Sequence, residues 1–360
     1  MAIFDHGEDK MFNKTKLLLA TGLLTMAGAA NASYEFKISE DDTLTFGGYI
    51  KIDTRYVDGT AGYKDFWTGS APVVADSSQF KMFANETRFN TKYVHGDVTG
   101  FIEMDFYGGG GNEIISNSVH PRLRHAFIKY KDILIGQTWT TFMNTSALPE
   151  TADFAGPMVG EAFVRNTQIR YTMGNVQVSL ENPESYGGDA SQDSLPDVIA
   201  KYTFNGDWGN VSVAGLFRQL NSNPTQTPSG ESESETALGY SVAGQIKTFG
   251  KDDFRFQIHG GNTGRYVGVT AQQDIVGTEA EESLSFMMAY RHHWTKDTRS
   301  SVFYGNITTD ITDADRSHWG VNIFKNYTPS LSFGAEVGQY LQDDTDSDSM
   351  YLQFSAKYVL

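Results

Sequence analysis

The chain has no cysteine, only nine prolines and, beyond its N-terminal segment, no long apolar run. The missing cysteine excludes a disulfide framework and any thiolate metal site or nucleophile. A membrane helix needs about 20 consecutive apolar residues, so a helical membrane protein is excluded as well. Bases are also scarce. The formal net charge is −16, which argues against non-specific binding to nucleic acid.

What the chain has instead is a strict alternation of apolar and polar residues. In TLTFGGYIKIDTRYVD, residues 43–58, the large aliphatic side chains fall on even numbers, and Lys51, Asp53 and Arg55 fall on odd numbers. A period of two indicates a β-strand with one apolar face and one charged face. In a soluble sandwich the apolar face would point inward, whereas in a membrane barrel it would face lipid and the charges would line water.

Sixteen segments carry this alternation, and a spanning strand needs about 9–11 residues, which most of them approach. They lie at 43–58, 79–94, 97–107, 121–131, 133–140, 164–174, 175–183, 197–205, 210–219, 237–249, 253–261, 283–295, 298–308, 317–326, 331–342 and 349–360.

The connections between these segments alternate between short and long. Short ones such as Gly174-Asn175 contain residues that tolerate positive φ in tight hairpins. Long ones, such as 220–236 and 343–348, are polar and acidic. This asymmetry is typical of outer-membrane barrels. The sequence therefore predicts an all-β fold: a transmembrane antiparallel β-barrel of 16 strands, with short periplasmic turns and long extracellular loops.

The apolar faces are expected to meet lipid rather than a protein core. A sixteen-stranded barrel with an apolar interior would be too wide for side chains to fill. The polar faces carry many charges, including Glu103, Arg255 and Arg291, which suit a water-filled channel. Tyrosines and phenylalanines cluster near strand ends, where the aromatic girdles of membrane barrels lie. The alternative is a soluble secreted β-protein.

Residues 1–32 are expected to be a leader that is removed on export through the Sec pathway. Two lysines precede an apolar stretch that ends in Ala30-Asn31-Ala32, which is the order of a secretory signal peptide. Residues 1–10 are acidic and fit no part of such a peptide. No linker divides the remainder, so residues 33–360 are predicted to form a single barrel domain in the outer membrane of a Gram-negative bacterium.

Residues 121–173 contain the motifs RLRHA, GQTWTTFMN, LPETADFAGP and VRNTQIRYT. In combination these motifs resemble the DcaP-like porins of Gram-negative bacteria. The resemblance implies a trimeric, sixteen-stranded diffusion channel, and some members of that family favour dicarboxylates and other small anions. In barrels of this type the long loop after the fifth strand folds into the lumen, which corresponds here to about residues 141–163.

A diffusion pore selects solutes by its width and by the electric field of its narrowest ring. The inserted loop offers Glu150, Asp153 and Glu161, and arginines are expected on the facing wall because a guanidinium binds carboxylates through a planar fork. The candidate pore-lining arginines are Arg55, Arg88, Arg122, Arg124, Arg165, Arg170 and Arg218. An alternative is that such arginines simply pair with luminal carboxylates.

The orientation of one strand stays open at this point. Arg122 and Arg124 share their parity with Ala126 and Ile128, so this strand either lines the lumen with its arginines or turns that face towards a neighbouring subunit. The expected partners are small hydrophilic or anionic solutes, outer-membrane lipid and lipopolysaccharide, and further copies of the chain in a homotrimer. No cofactor, metal, nucleic acid or catalytic residue is expected.

Two functions of different classes therefore remain. The first is a passive diffusion channel with some preference for anions. The second is a structural or adhesive surface barrel that acts through its acidic extracellular loops. An enzyme is disfavoured, because no serine or aspartate is placed near His259 by strand register.

Overall fold

The computed structural model describes residues 33–63, 65–186 and 193–360, and the expected leader lies outside them. The main sheet closes into a barrel of sixteen antiparallel strands, which confirms the predicted fold. The strands are β1 (Asp42–Ala61), β2 (Val73–Phe83 and Arg88–His95), β3 (Val98–Asp105), β4 (Arg122–Tyr130), β5 (Ile133–Trp139), β6 (Arg165–Met173), β7 (Val176–Glu181), β8 (Asp197–Gly206), β9 (Gly209–Asn221), β10 (Ser234–Lys247), β11 (Asp253–Gly261), β12 (Ser283–His293), β13 (Thr298–Thr309), β14 (Asp315–Asn326), β15 (Leu331–Gln342) and β16 (Ser347–Val359).

The barrel closes where its last strand meets its first. β16 pairs with β1 from Tyr49 opposite Val359 to Gly59 opposite Ser349. A short N-terminal strand, Tyr34–Lys37, pairs with residues 43–46 of β1, on the same edge of β1 that β16 pairs with. An unpaired strand edge would leave backbone groups unsatisfied in lipid, so this arrangement lets the barrel span a membrane.

The apolar side chains point outward, as predicted. On β1, Ile50, Ile52 and Tyr56 are 41–44% exposed, whereas Lys51 and Asp53 are at most 4% exposed. The exposed side chains would be costly in water but are favoured against hydrocarbon. The charged side chains therefore lie inside the barrel, which agrees with the lipid-facing orientation and rejects a soluble sandwich.

Aromatic side chains form a girdle at the end of the barrel that carries the short turns. They point outward and are 42–83% exposed. This set consists of Tyr93, Tyr130, Tyr171, Tyr202, Phe204, Trp208, Phe249, Trp294, Tyr327, Phe333 and Tyr358. Amphipathic rings of this kind lie at the membrane–water interface, so the short turns mark the periplasmic side.

Two β-bulges change which residues point inward. β2 is interrupted at residues 84–87, and its two segments pair with β1 in registers that differ by one residue. On β4, Leu123 lies opposite Met104 and His125 lies opposite Glu103, so Arg124 is an extra residue. A bulge places two residues opposite one and reverses the alternation beyond it.

The β4 bulge answers the open question of orientation. Arg122 and Arg124 point inward on one side of the bulge, while Leu123 is 50% exposed. Ile128 and Tyr130 point outward on the other side, with 60% and 48% exposure. The arginines and Ile128 share a parity in the sequence but lie on opposite faces of the wall.

Three long loops fold into the lumen, whereas the sequence indicated only one. They are loop 1 (residues 62–72), loop 3 (140–164) and loop 6 (262–282). Loop 1 places Trp67 against Tyr340, with ring centroids 4.9 Å apart. Backbone hydrogen bonds join loops 1 and 6 through Gly69, and loops 3 and 6 through Phe163. The three loops and the wall of β8–β16 enclose an apolar cluster.

The remaining regular structure is short. The helix α1 spans Glu113–Ser116, and single 3₁₀ turns cover Thr145–Ala147, Met158–Gly160, Pro224–Gln226, Gly264–Tyr266 and Asp343–Thr345. In the described part of the chain, no helix has the length and apolar character needed to cross a membrane.

Candidate functional site

Loop 3 is held against the inner wall by a series of polar contacts. Near its start, Asn144 donates hydrogen bonds to the Oδ1 of Asn210 and to the carbonyl of Ala243, each 2.9 Å long. Further on, Lys51 donates a 2.8 Å hydrogen bond to the carbonyl of Ala152. The loop therefore follows the wall from β9 and β10 around to β1.

Glu150 anchors the middle of loop 3 to β12 and β13. Its carboxylate accepts hydrogen bonds of 2.7 and 2.5 Å from Arg299, and Arg291 lies 3.4 Å away. Burial opposes ionisation of Glu150, but the hydrogen bonds and charges of these arginines lower its pKa below the usual value. Its negative charge is thus neutralised on the wall.

Asp153 is anchored in a similar way on β1. It forms an ion pair with Arg55, and both side chains are at most 1% exposed. The backbone N–H groups of Ala152 and Asp153 donate to Glu336 on β15, at 2.7 and 3.1 Å. Glu150 and Asp153 therefore both contact bases on the β1 and β12–β13 walls.

The opposite wall carries a basic cluster, which we define as Arg88, Arg122, Arg124 and Arg165. Arg122 binds Asp105 through its fork, with Nε–Oδ1 and Nη2–Oδ2 distances of 3.0 and 2.7 Å. Arg124 donates to Glu103 at 2.8 Å and to Asp105 at 2.9 Å. Glu103 and Asp105 thus pair with the two arginines of β4.

Arg165 is the member of the cluster that lacks an ion pair among the described residues. Its guanidinium lies 4.6 Å from the ring centroid of Trp139, at a distance typical of a cation–π contact. Arg88 lies 4.0 Å from Glu103, at the limit of an ion pair, and 5.1 Å from the ring of Tyr49. The face of Trp139, rather than a carboxylate, therefore holds the charge of Arg165.

The tip of loop 3 reaches the basic cluster through Phe154. Its ring centroid lies 4.8 Å from that of Tyr107 and 5.2 Å from that of Phe66. The guanidinium carbons of Arg122 and Arg124 lie 5.7 and 5.9 Å from the same ring. The narrow region is thus bounded by arginines on the wall and by aromatic side chains on the loops.

The second half of loop 3, residues 156–163, forms a return limb that packs closely on β12 and β13. A Cβ added to Gly160 would lie 2.2 Å from the carbonyl oxygen of Phe286 and 3.0 Å from the Cα of Gly305. Only glycine fits such a close approach of two backbones.

The next residue of the return limb, Glu161, is fully buried. Neither of its carboxylate oxygens has a hydrogen-bond partner in the described chain. Burial raises the pKa of Glu161 well above its usual range.

A match to a family model decides which family these features belong to. The model for the DcaP outer membrane protein matches residues 11–319. The chain belongs to the DcaP outer membrane protein family. The family and the closed barrel make this protein an outer-membrane porin channel of a Gram-negative bacterium, and they point to a channel rather than to an enzyme.

Solved structures show the same fold as this DcaP-family barrel at low sequence identity. The outer membrane channel DcaP of Acinetobacter baumannii is 21% identical, with a TM-score of 0.76, and the alignment covers 90% of this chain and 99% of that chain. An anion-selective porin from Comamonas acidovorans is 11% identical, with a TM-score of 0.58 and coverage of 89% and 100%. OmpT of Vibrio cholerae, in a trimer form, is 12% identical, with a TM-score of 0.55 and coverage of 89% and 100%. No curated protein is significantly similar to the chain.

The other two arginines named from the sequence lie apart from the basic cluster of the DcaP-family barrel. Arg218 on β9 pairs with Asp197 and with Asp274 of loop 6, so it fastens that loop to the wall. Arg170 points into the lumen from β6, nearer the periplasmic turns.

Several residues that shape the lumen were not singled out in the sequence. They are Phe154, Arg299 and Glu336. A usable signal existed for Arg299 and Glu336, because each is a charge on the polar parity of a predicted strand. No signal identified Phe154 within the loop. Among residues 33–63, 65–186 and 193–360, no group of three or more metal-ligating side chains is arranged to hold a metal ion.

Proposed function

We propose that this porin is a passive channel for small hydrophilic solutes that favours anions such as dicarboxylates. One observation carries the proposal: Arg165 of the basic cluster forms no ion pair in the described part of the chain, while Glu150 and Asp153 of loop 3 are neutralised on other walls. A net positive field at a narrow ring raises the local concentration of anions.

The exposure of inward side chains supports a solute route along the basic cluster. On the β11–β15 side, luminal side chains such as Gln257, His318 and Glu336 are at most 1% exposed beneath the loops. Next to β3 and β4, the side chains of Arg122 and Glu103 keep 26% and 13% exposure, and Arg165 is half-buried. Space for water and solute therefore adjoins Arg122 and Arg165, whereas Arg88 and Arg124 are buried.

Two of the similar structures also support the proposal. One of them is described as an anion-selective porin and another was solved in a trimer form. We propose that the present chain also assembles as a homotrimer. Its outward surface at β2–β5 carries a shallow apolar groove that includes Gly100 and Ala126, whose small side chains allow close approach of another subunit.

The proposal is tested by the reversal potential of the purified protein in a planar bilayer across a KCl gradient. We expect a potential of the sign that indicates chloride preference. Arg165→Gln should move this potential towards zero, because it removes a charge that no carboxylate pairs. Lys296→Gln is the matched control: it makes the same change in net charge on an exposed turn, 85% accessible, and should leave the potential unchanged.

Cation selectivity of the native channel would overturn the anion preference while leaving the porin assignment in place. A barrel that inserts into the bilayer but carries no current would favour the structural or adhesive alternative. Equal effects of Arg165→Gln and Lys296→Gln would show that net charge, rather than the basic cluster, sets the selectivity.

A further inference from the structure

Two basic side chains lie on the inner wall between loop 3 and the periplasmic turns. They are Arg170 on β6 and Lys201 on β8. Their outward neighbours Tyr171 and Tyr202 are 49% and 42% exposed on the lipid-facing side. Because side chains alternate along a strand, Arg170 and Lys201 both point into the lumen.

The strand register brings these two side chains together. β7 lies between β6 and β8, and its residues Ser179 and Gln177 pair with Arg170 and Lys201 respectively. Neighbouring strands are about 4.8 Å apart, so the two backbones are separated by roughly 10 Å. Two long side chains span such a distance, and their positive charges act on one another.

Neither of these cations is neutralised by a carboxylate in the described part of the chain. Arg170 makes no hydrogen bond or ion pair there, and Lys201 donates one hydrogen bond of 2.9 Å to the carbonyl of Met143. The nearest acid is Glu181, whose oxygens already accept from the N–H of Thr141 at 2.8 Å and from Asn166 at 3.0 Å. The pair therefore presents to the lumen two basic side chains that have no carboxylate partner in the described chain.

We propose that Arg170 and Lys201 form a second anion-binding station, which holds a small dicarboxylate on the periplasmic side of the basic cluster. The guanidinium binds one carboxylate through two parallel hydrogen bonds, and the ammonium binds the other as a compact charge. Two adjacent cations are best neutralised by a dianion, so the station discriminates dicarboxylates from monocarboxylates. This inference rests on the proposed anion preference and adds a site to it.

The position of the station relative to the basic cluster gives it a role in transport. Arg165 and Arg170 lie on the same strand, five residues apart, which corresponds to about 16 Å along β6. A solute that leaves the cluster thus meets a second site before the exit. Several moderate sites in series allow a solute to enter a channel and still leave it.

The test measures block of the chloride current by succinate, with acetate as the monovalent comparison, in planar bilayers that contain the whole protein. Removing a charged hydrogen-bond partner weakens binding by about tenfold or more. We therefore expect Arg170→Gln and Lys201→Gln each to raise the half-blocking succinate concentration about tenfold and to change the acetate value far less. Lys296→Gln should change neither.

Charge-preserving variants separate binding from a structural role. Lys201→Arg should keep succinate block within about twofold of the native channel, because the charge remains. Arg170→Lys keeps the charge but loses the planar fork, so it should weaken succinate block several-fold. This variant also covers the case in which Arg170→Gln fails to assemble into a heat-resistant barrel.

The outcomes distinguish the station from the proposed function. If the native channel prefers anions and Arg165→Gln reduces that preference, yet Arg170→Gln and Lys201→Gln behave like Lys296→Gln, the station is refuted alone. A native channel that prefers cations or carries no current refutes the anion preference, and the station falls with it. Equal losses for succinate and acetate would also overturn the dicarboxylate assignment.

Discussion

The buried carboxyl of Glu161 makes the docking of loop 3 depend on pH. Glu161 lies on the return limb, residues 156–163, which packs on β11–β13, and it is fully buried without a hydrogen-bond partner in the described chain. The elements packed around it carry titratable side chains such as His259 on β11, His318 on β14 and Tyr266 on loop 6. None of them forms an ion pair with Glu161, so the docked limb accommodates the neutral acid.

The size of the effect follows from proton linkage. In an undocked limb Glu161 would reach water and have an ordinary pKa of about 4.3, whereas burial raises its pKa in the docked limb. Docking is therefore fully stable below the undocked pKa and weakens as the pH rises towards the docked pKa. Each pH unit in that window costs about 1.4 kcal/mol.

The assay is hydrogen exchange of the amides of residues 156–163 between pH 5 and pH 8, corrected for the intrinsic pH dependence of exchange. In this limb the N–H of Gly160 donates to the carbonyl of Pro157, and that of Glu161 donates to the carbonyl of Met158. We expect the protection of this segment to fall by up to tenfold per pH unit in the native protein. Glu161→Gln should remove that dependence and raise protection at pH 8, because the side chain can no longer ionise.

Glu282→Gln is the matched control, since Glu282 is exposed on loop 6 and should leave the pH dependence unchanged. Protection that does not vary with pH in the native protein would refute the reasoning. So would a Glu161→Gln variant that keeps the native pH dependence, because the titrating group would then lie elsewhere.

Three further substitutions test other contacts. Asp153→Asn should destabilise the barrel by about 3–5 kcal/mol in thermal unfolding, because it leaves the buried charge of Arg55 without a partner. The double variant with Arg55→Gln should recover part of the loss. Gly160→Ala should cost about 1–3 kcal/mol and increase current noise, since the new methyl group meets the Phe286 carbonyl; Gly215→Ala, where no atom lies within 4 Å, is the control. Val302→Arg places a charge on the lipid face and should destabilise the inserted barrel by about 2–4 kcal/mol, whereas Thr295→Arg on a turn should not.

The fold was readable from the sequence because membrane strands repeat one simple rule. Alternation over sixteen segments determined the number of strands, their apolar faces and the side of the short turns. The rule fails only where the backbone departs from two residues per repeat. Arg122, Arg124 and Ile128 share a parity but occupy opposite faces, and this conflict is itself the signature of the bulge at Arg124.

The arrangement inside the lumen was not readable in the same way. Alternation shows that a side chain points inward but not which residue it meets across the barrel. Glu150 pairs with Arg299 and Asp153 pairs with Arg55, at sequence separations of 149 and 98 residues. Likewise Trp67 and Tyr266 lie on loops 1 and 6, and nothing in the sequence shows that both are buried inside the barrel.

These long-range pairs decide where the field of the channel originates. The sequence suggested that acids on loop 3 oppose arginines across the pore. In the structure the same acids fasten loop 3 to the β1 and β12–β13 walls, so their charges are cancelled where they lie. The inserted loop then contributes Phe154, which packs beside Arg122 and Arg124, but little charge. We therefore expect substitution of Arg165 in the basic cluster to alter selectivity without releasing the loop.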